Sequence, residues 1–302
     1  MKIGKYGGGN MAQAQEEHVP FLFDKNLGAG LRLSASELTP TNSEGLAAQQ
    51  LTEEQRFLFD AQGYLLVPGV LGADEVAQMK EFCYRLHTDK ESIPEPERCA
   101  IGGPLQKLID HPLVLGFMNE FVAFPHLANE HGYGFRLEGS FVTIRSQGVG
   151  GFGPHNGSGM MRLPGDSHEY RCFPGKAYSG LTRVVWELNP VYQGDGGTLL
   201  LPGSHKAAYP APKSIMQPDS PLWVDYECPA GSVLFFTEAL THSGTPWKRK
   251  DYERVAVFNC YNTVNARWHN WEPHPDLLAA MPAKRRSLFR PVCCQDNLVV
   301  EG

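Results

Sequence analysis

The sequence lacks the features that mark membrane-spanning, secreted and zinc-finger proteins. It contains no run of roughly eighteen apolar residues, so no transmembrane helix is expected. The amino terminus has no apolar core of the kind found in signal peptides. The 7 cysteines are odd in number and include no Cys-x-x-Cys pair. We therefore expect a protein of the reducing cytoplasm, without a disulfide framework or a zinc site.

Several common catalytic and binding motifs are also missing. There is no Walker A sequence, no His-Glu-x-x-His and no Gly-x-Ser-x-Gly. The stretch 148–153 has the letters of a dinucleotide-binding motif, but Pro154 and further glycines follow where a helix is required. The net charge of −6 does not favour a nucleic-acid partner. These absences argue against a nucleotide-binding fold and against the common classes of hydrolase.

The composition favours a β-rich globular protein. The 302 residues are 42% apolar, which is sufficient for a sizeable core. The 32 glycines and 23 prolines favour short strands and turns over long helices. Short strands recur between residues 133 and 262, and this spacing indicates a double-stranded β-helix, or jelly roll. We predict a β-rich α+β fold with flanking helices, an amino-terminal arm over residues 1–48 and one domain over residues 49–302.

The local signals for individual elements are clearest before the predicted jelly roll. Thr52 and Gln55 have the spacing of a capping box, and Gly63 is placed to end the helix that follows. A strand is predicted over residues 64–70 and a second helix from Ala73 to about residue 86. The remaining expectations are helical pattern over 104–131, a strand over 135–145, a polar lid over 158–178, and an irregular wrap after residue 263.

Three residues within this pattern suggest a specific chemistry. His155 lies in a glycine-rich loop, His242 follows a later apolar strand, and Arg254 opens a further apolar run. Between the histidines, a glycine turn and an apolar strand lead into the run Pro202–Lys206. Over residues 50–265 the sequence resembles the phytanoyl-CoA dioxygenase-like Fe(II)/2-oxoglutarate oxygenases, whose signature is His-x-Asp, a distal His and a later Arg.

The resemblance implies a set of cofactors and ligands. His155 and His242 would bind Fe(II), and the Arg254 guanidinium would hold the distal carboxylate of 2-oxoglutarate, with dioxygen as the second co-substrate. A planar guanidinium suits a two-point grip on a carboxylate. The nearby Arg249 stands in a charged turn, where a solvated role is expected.

Gly157 departs from the family pattern, because it occupies the position of the carboxylate ligand. In this respect the sequence resembles the iron-dependent halogenases of this family, in which a halide takes the vacant metal position. The resemblance therefore implies chloride as a further ligand and chlorination of an unactivated C–H bond. One alternative is a hydroxylase whose third ligand is water or a lid carboxylate, Asp166 or Glu169. The other is a non-catalytic ligand-binding jelly roll.

The sequence gives a weaker prediction for substrate contacts. Basic residues in the predicted lid could bind an anionic group on a small-molecule substrate or be solvated, and aromatic residues on the predicted strands could line the pocket or belong to the core. No membrane partner is expected, and neither the substrate nor the oligomeric state follows from the sequence. The candidates for substrate contact are Arg162, Arg171, Lys176, Trp186 and Phe141.

Overall fold

The computed structural model of the protein describes residues 21–23, 30–32, 38–156, 167–173 and 175–292. None of the helices in these ranges is long and apolar enough to cross a membrane. The first two strands, β1 (Phe21–Phe23) and β2 (Gly30–Arg32), form a small antiparallel pair.

The helix–strand–helix segment predicted near residue 52 is present. Helix α1 (Glu53–Gln62) begins with the capping box: the Gln55 amide donates to Thr52 Oγ1 at 3.1 Å and the Thr52 amide donates to Gln55 Oε1 at 3.0 Å. Gly63 ends the helix in the left-handed region, with φ of 83°. Strand β3 (Tyr64–Val67) is shorter than predicted because proline and glycine follow at once, and helix α2 (Ala73–Thr88) completes the unit.

The main sheet has five antiparallel strands in the order β3–β9–β7–β11–β4. Its members after β3 are β4 (Phe135–Arg145), β7 (Thr182–Glu187), β9 (Ser232–Thr237) and β11 (Arg254–Thr263). Because successive side chains on a strand alternate between the two faces, each strand contributes residues to both sides of the sheet. One face contacts the helices and the other faces the interior of the jelly roll.

A second, smaller layer closes the interior. Strands β8 (Thr198–Leu200) and β10 (His242–Gly244) pair antiparallel, and isolated bridges join His155 to His242 and Leu200 to Val224. This arrangement of antiparallel sheets confirms the predicted jelly roll. The apolar cluster between the layers includes Val185, Leu234, Phe236, Leu240, Trp247, Ala256 and Phe258.

The helical layer covers the opposite face of the main sheet. Helix α3 (Pro112–Phe121) is buried along its length, and Phe117 stacks on Phe235 of β9 with ring centroids 4.3 Å apart. The helical pattern predicted over 104–131 is divided into three segments, because a proline stands in the first turn of each. The flanking two are 3₁₀ helices, Gly103–Leu108 and Pro125–Leu127.

Two regions predicted as irregular contain short elements. The carboxyl-terminal part of the predicted lid forms a hairpin of β5 (Tyr170–Phe173) and β6 (Lys176–Ser179). The wrap after residue 263 contains helices α4 (Pro275–Ala280) and α5 (Ala283–Arg286). Each of these pieces is very short, so its periodic sequence signal is weak.

Residues 38–48 at the end of the predicted arm lie against the helical layer. Leu38 and Thr39 are buried, and the Asn119 side chain of α3 donates to the Thr39 carbonyl at 3.0 Å. The division of the chain at residue 48 stays a prediction.

The close approach of Gly63, between α1 and β3, to the His205 ring can be tested. A methyl group added at Gly63 would lie 2.6 Å from Nδ1 of the fully buried His205 ring, whereas Gly69, also at positive φ, has no atom within 4 Å of that position. Both Gly→Ala variants place a side chain in the left-handed region, at a cost of about 1–3 kcal/mol. We expect Gly63→Ala to lower the free energy of unfolding clearly more than Gly69→Ala, measured by urea denaturation. Equal losses would contradict the proposed contact with His205.

Candidate active site

The interior face of the main sheet is defined by strand register. Ala256 and Phe258 of β11 belong to the interior apolar cluster, whereas Val255 and Val257 belong to the cluster under the helices. Arg254 has the same parity as Ala256 and Phe258, so its side chain faces the interior. Residues directly opposite these on neighbouring strands face the same way: Arg145 and Phe141 of β4, and Val185 and Glu187 of β7.

The two predicted metal histidines lie side by side at one end of this interior. The His155 amide donates to the His242 carbonyl at 3.0 Å, and the His242 amide donates to the His155 carbonyl at 2.9 Å. Their rings are 4.2 Å apart between centroids. His155 is exposed, while His242 is 6% exposed. The curling of the sheets therefore brings together two residues that are remote in sequence.

Both imidazoles are held in the tautomer that a metal ligand needs. His155 Nδ1 lies 2.8 Å from the Gly153 carbonyl oxygen, and His242 Nδ1 lies 2.8 Å from that of Leu240. A carbonyl oxygen only accepts, so Nδ1 carries the hydrogen and Nε2 of the neutral ring has a free lone pair. Burial also lowers the pKa of His242, which favours the neutral ring.

A carboxylate that the sequence analysis missed completes the group. Glu238 Oε2 is 3.8 Å from His242 Nε2, and one ligand atom from each of His155, Glu238 and His242 lies within 4.8 Å of the others. Glu238 is 4% exposed, and its Oε1 accepts a hydrogen bond from Arg183 Nε. Burial raises the pKa of Glu238, but the neighbouring His242 and Arg183 outweigh it and bring the value to about 2. The carboxylate is therefore ionised.

Two nitrogens and one carboxylate oxygen form the donor set preferred by non-haem Fe(II). The group therefore fits the metal that the resemblance implies. The sequence does contain a signal for Glu238. Glu238 is two residues beyond Phe236, which with Leu234 faces the interior, and it precedes His242 by one short turn. Without knowing which face of β9 is interior, that parity could not be used.

Of the two lid carboxylates predicted as third ligands, Glu169 is the one that lies among the described residues. Gly157 and Asp166, together with Arg162, lie outside the described residues. Glu169 accepts from Arg171 Nε at 2.9 Å, so its carboxylate is engaged at the base of the hairpin. The side chain of Asn156, beside His155, is buried and donates to Thr241 Oγ1 at 3.2 Å.

Arg254 lies in the interior but is held by a carboxylate of the protein itself. Its Nε is 3.2 Å from both oxygens of Glu187, and its Nη2 also contacts Tyr226 Oη at 3.0 Å and Thr198 Oγ1 at 3.3 Å. Burial would lower the pKa of Arg254, but the Glu187 charge more than compensates and raises it. Arg249, in contrast, pairs with Asp251 on the surface turn at 2.9 Å.

The two aromatic candidates for substrate contact lie on opposite faces of the main sheet. Phe141 faces the interior, where it stacks on Phe258 with centroids 4.7 Å apart and is still 46% exposed. Trp186 occupies the opposite face of β7, is fully buried, and meets His111 edge-on. Because side chains alternate along β7, Trp186 does not line the interior.

The two basic candidates among the described residues are paired with nearby carboxylates. Lys176 donates to the Glu120 carbonyl of α3, and its Nζ is 3.6 Å from the Glu120 carboxylate. Its side chain therefore contacts the helical layer. Arg171 is exposed and bound to Glu169.

A cavity of about 860 Å³ lies near the histidine pair, although none of His155, Glu238 and His242 lines it. Its lining includes Asn156 and Thr241, the immediate neighbours of His155 and His242. The Pro-Gly-Ser-His-Lys turn forms another part of the wall. This volume is typical of small-molecule sites.

Comparisons with known proteins agree with this architecture. A family model described as phytanoyl-CoA dioxygenase matches residues 59–254. HygX from Streptomyces hygroscopicus, solved with nickel and 2-oxoglutarate, is 22% identical with a TM-score of 0.58, over 75% of this chain and 94% of its own. HygX has also been solved with nickel, 2-oxoglutarate and hygromycin B together. No curated protein matches this chain by sequence.

Two further solved structures share the fold. The α-ketoglutarate-dependent carbocyclase SnoK from nogalamycin biosynthesis is 19% identical with a TM-score of 0.52, over 81% of this chain and 95% of its own. EctD from S. alaskensis is 18% identical with a TM-score of 0.53, over 84% and 93% respectively. The family match covers well over half of the 302 residues. The chain therefore belongs to the phytanoyl-CoA dioxygenase family, a family of Fe(II)/2-oxoglutarate-dependent oxidoreductases.

Proposed function

We propose that this protein is an Fe(II)/2-oxoglutarate-dependent hydroxylase of a small molecule, with iron held by His155, Glu238 and His242. The observation that carries the proposal is the convergence of the three ligand atoms within 4.8 Å. Fe(II), when bound with 2-oxoglutarate, would supply the oxidising chemistry with dioxygen that side chains alone do not provide.

The surrounding residues support this ligand set. Metal ligands must be deprotonated. Burial favours the neutral form of His242, and Glu238 is ionised beside Arg183. The hydrogen bonds from Nδ1 to the Gly153 and Leu240 carbonyls fix the ring orientations. Arg183 binds one oxygen of Glu238, which leaves the other directed towards His242 Nε2. Arg183 thus acts as a positioning residue for the carboxylate.

Glu238 is also the reason for favouring hydroxylation over chlorination. The chlorination hypothesis rests on Gly157, which leaves the usual carboxylate position without a ligand. With Glu238 as the third ligand, the metal has a negatively charged partner from the protein and needs no chloride for that purpose. The comparisons add no support for chlorination.

A small, largely apolar substrate agrees best with the interior. The stacked rings of Phe141 and Phe258 offer an exposed aromatic wall. Arg171 and Lys176, the described basic candidates for an anionic substrate group, are each engaged by a carboxylate of the protein. The HygX complex with hygromycin B provides an example of a small-molecule ligand on this fold.

The histidine ligands can be tested directly. We expect His155→Ala and His242→Ala each to abolish tight binding of Fe(II), because each removes one of three ligands. Metal affinity is measured anaerobically by isothermal titration calorimetry, with the thermal melting temperature as a folding check. His131→Ala, at a side chain that is 76% exposed, is the matched control. Retention of full iron affinity by either site variant would rule out that histidine as a ligand.

Glu238 is tested against the lid carboxylate. Replacing a residue that only orients a ligand typically costs about 10–100-fold in metal affinity. We therefore expect Glu238→Gln to weaken Fe(II) binding by at least about tenfold, since it removes a ligand charge. Glu169→Gln should leave the affinity unchanged. The reverse pattern would assign the third position to Glu169.

The response of the protein to added chloride distinguishes hydroxylation from chlorination. We expect the visible absorption band of the anaerobic protein with Fe(II) and 2-oxoglutarate to be unaffected by added chloride, because Glu238 occupies the third position. Glu238→Ala should introduce a chloride response. A chloride-dependent band shift in the wild type, together with a chlorinated product on exposure to dioxygen, would establish the halogenase instead.

A further inference from the structure

The proposed function requires a cation for the distal carboxylate of 2-oxoglutarate, and Arg254 is poorly suited to supply it. Its guanidinium is 1% exposed and already binds both oxygens of Glu187. Glu187 is fully buried and also accepts from Tyr226 Oη at 2.6 Å. If 2-oxoglutarate displaced Glu187, a buried carboxylate would lose its charged partner, which is strongly unfavourable.

Arg145 offers a second guanidinium in the same interior. It is the residue of β4 directly opposite Arg254 on β11, so both side chains leave the sheet on the interior face. Arg145 is only partly buried. Among the described residues its hydrogen-bond partner is the Thr245 carbonyl, at the long distance of 3.5 Å. Most of its donors therefore remain available for a ligand.

The position of this guanidinium relative to the metal group is suitable. A Cβ atom built on Gly244 would lie 3.3 Å from Arg145 Nη1 and 3.6 Å from Nη2. Gly244 follows His242 by two residues on β10, so both positions face the same side, roughly 7 Å apart along the strand. That separation is comparable to the length of a five-carbon dicarboxylate. The lack of a side chain at Gly244 leaves the space that the guanidinium fills.

The local charges also match this ligand. Glu187 neutralises Arg254, which leaves Arg145 as one surplus positive charge in this cluster of three. Burial lowers the pKa of Arg145 and the neighbouring Arg254 lowers it further, so an incoming carboxylate would be favourable. One carboxylate supplies the single negative charge that the cluster lacks.

On the basis of the proposed function, we propose that Arg145 binds the distal carboxylate of 2-oxoglutarate, while the Arg254–Glu187 pair buttresses the pocket beneath it. Arg254 remains essential in this arrangement, but as a structural partner of Glu187. The co-substrate would bridge from the metal group at His155, Glu238 and His242 along β10 to Arg145.

The test compares two keto acids on nickel-loaded protein by isothermal titration calorimetry. Removing one partner of a buried charge pair typically costs enough free energy to weaken binding by at least about 30-fold. We expect Arg145→Gln to weaken 2-oxoglutarate by this amount but to leave pyruvate, which lacks the distal carboxylate, unchanged. Arg145→Lys should recover part of the affinity, and the surface variant Arg249→Gln should bind both acids like the wild type.

Thermal melting of the metal-free variants separates binding from structure. Arg145→Gln should melt at the wild-type temperature, whereas Arg254→Gln should melt several degrees lower because it leaves Glu187 unpaired. Normal 2-oxoglutarate affinity in Arg145→Gln would overturn the inference and return the role to Arg254. Equal weakening of 2-oxoglutarate and pyruvate would also overturn it. Failure of the wild type to bind either acid would instead overturn the proposed function on which it rests.

Discussion

The backbone pairing between His155 and His242 is the contact on which the site depends. Two reciprocal hydrogen bonds join the glycine-rich loop to the small sheet and close the jelly roll at one end. Closure places both imidazoles against the end of β9, where Glu238 leaves the main sheet. Without it, the three proposed ligands would have no common position, and a metal site needs its ligands preorganised.

Two buried ion pairs orient carboxylates in the interior of the jelly roll. Glu238 with Arg183 and Glu187 with Arg254 are each paired across neighbouring strands, in surroundings where an unpaired charge would be costly. In both pairs the arginine comes from the main sheet and fixes the orientation of a carboxylate. The first pair directs an oxygen of Glu238 towards the histidines. The second pair occupies the guanidinium of Arg254, which the family signature would assign to 2-oxoglutarate, and this is why Arg145 is proposed for that role.

The carboxylate at Glu238 changes how the glycine at the His-x-Asp position is interpreted. The missing carboxylate of the His-x-Asp position need not leave a metal position open for halide. Another carboxylate, that of Glu238 just before His242, lies close to both histidines. The His-x-Gly pattern is therefore insufficient evidence for halogenation. The position of every acidic side chain around the histidine pair must be considered first.

Local sequence determined the elements whose signals are short-range. The capping box at Thr52 and Gln55 needs only neighbouring residues, and it forms as predicted. The strand pattern after residue 133 likewise specified a jelly roll, because alternation and turns are encoded locally. The spacing of the motifs was enough to select His155, His242 and Arg254 as site candidates.

Tertiary structure decided which face each strand turns inward and which partner each charge meets. Alternation gives every strand two equivalent faces, and only the packing of α3 on one side of the sheet makes the other side the interior. This choice places Trp186 under the helices and Phe141 in the interior. The roles proposed for Glu238 and Arg145 likewise depend on neighbours far away in the chain, which a one-dimensional pattern does not contain.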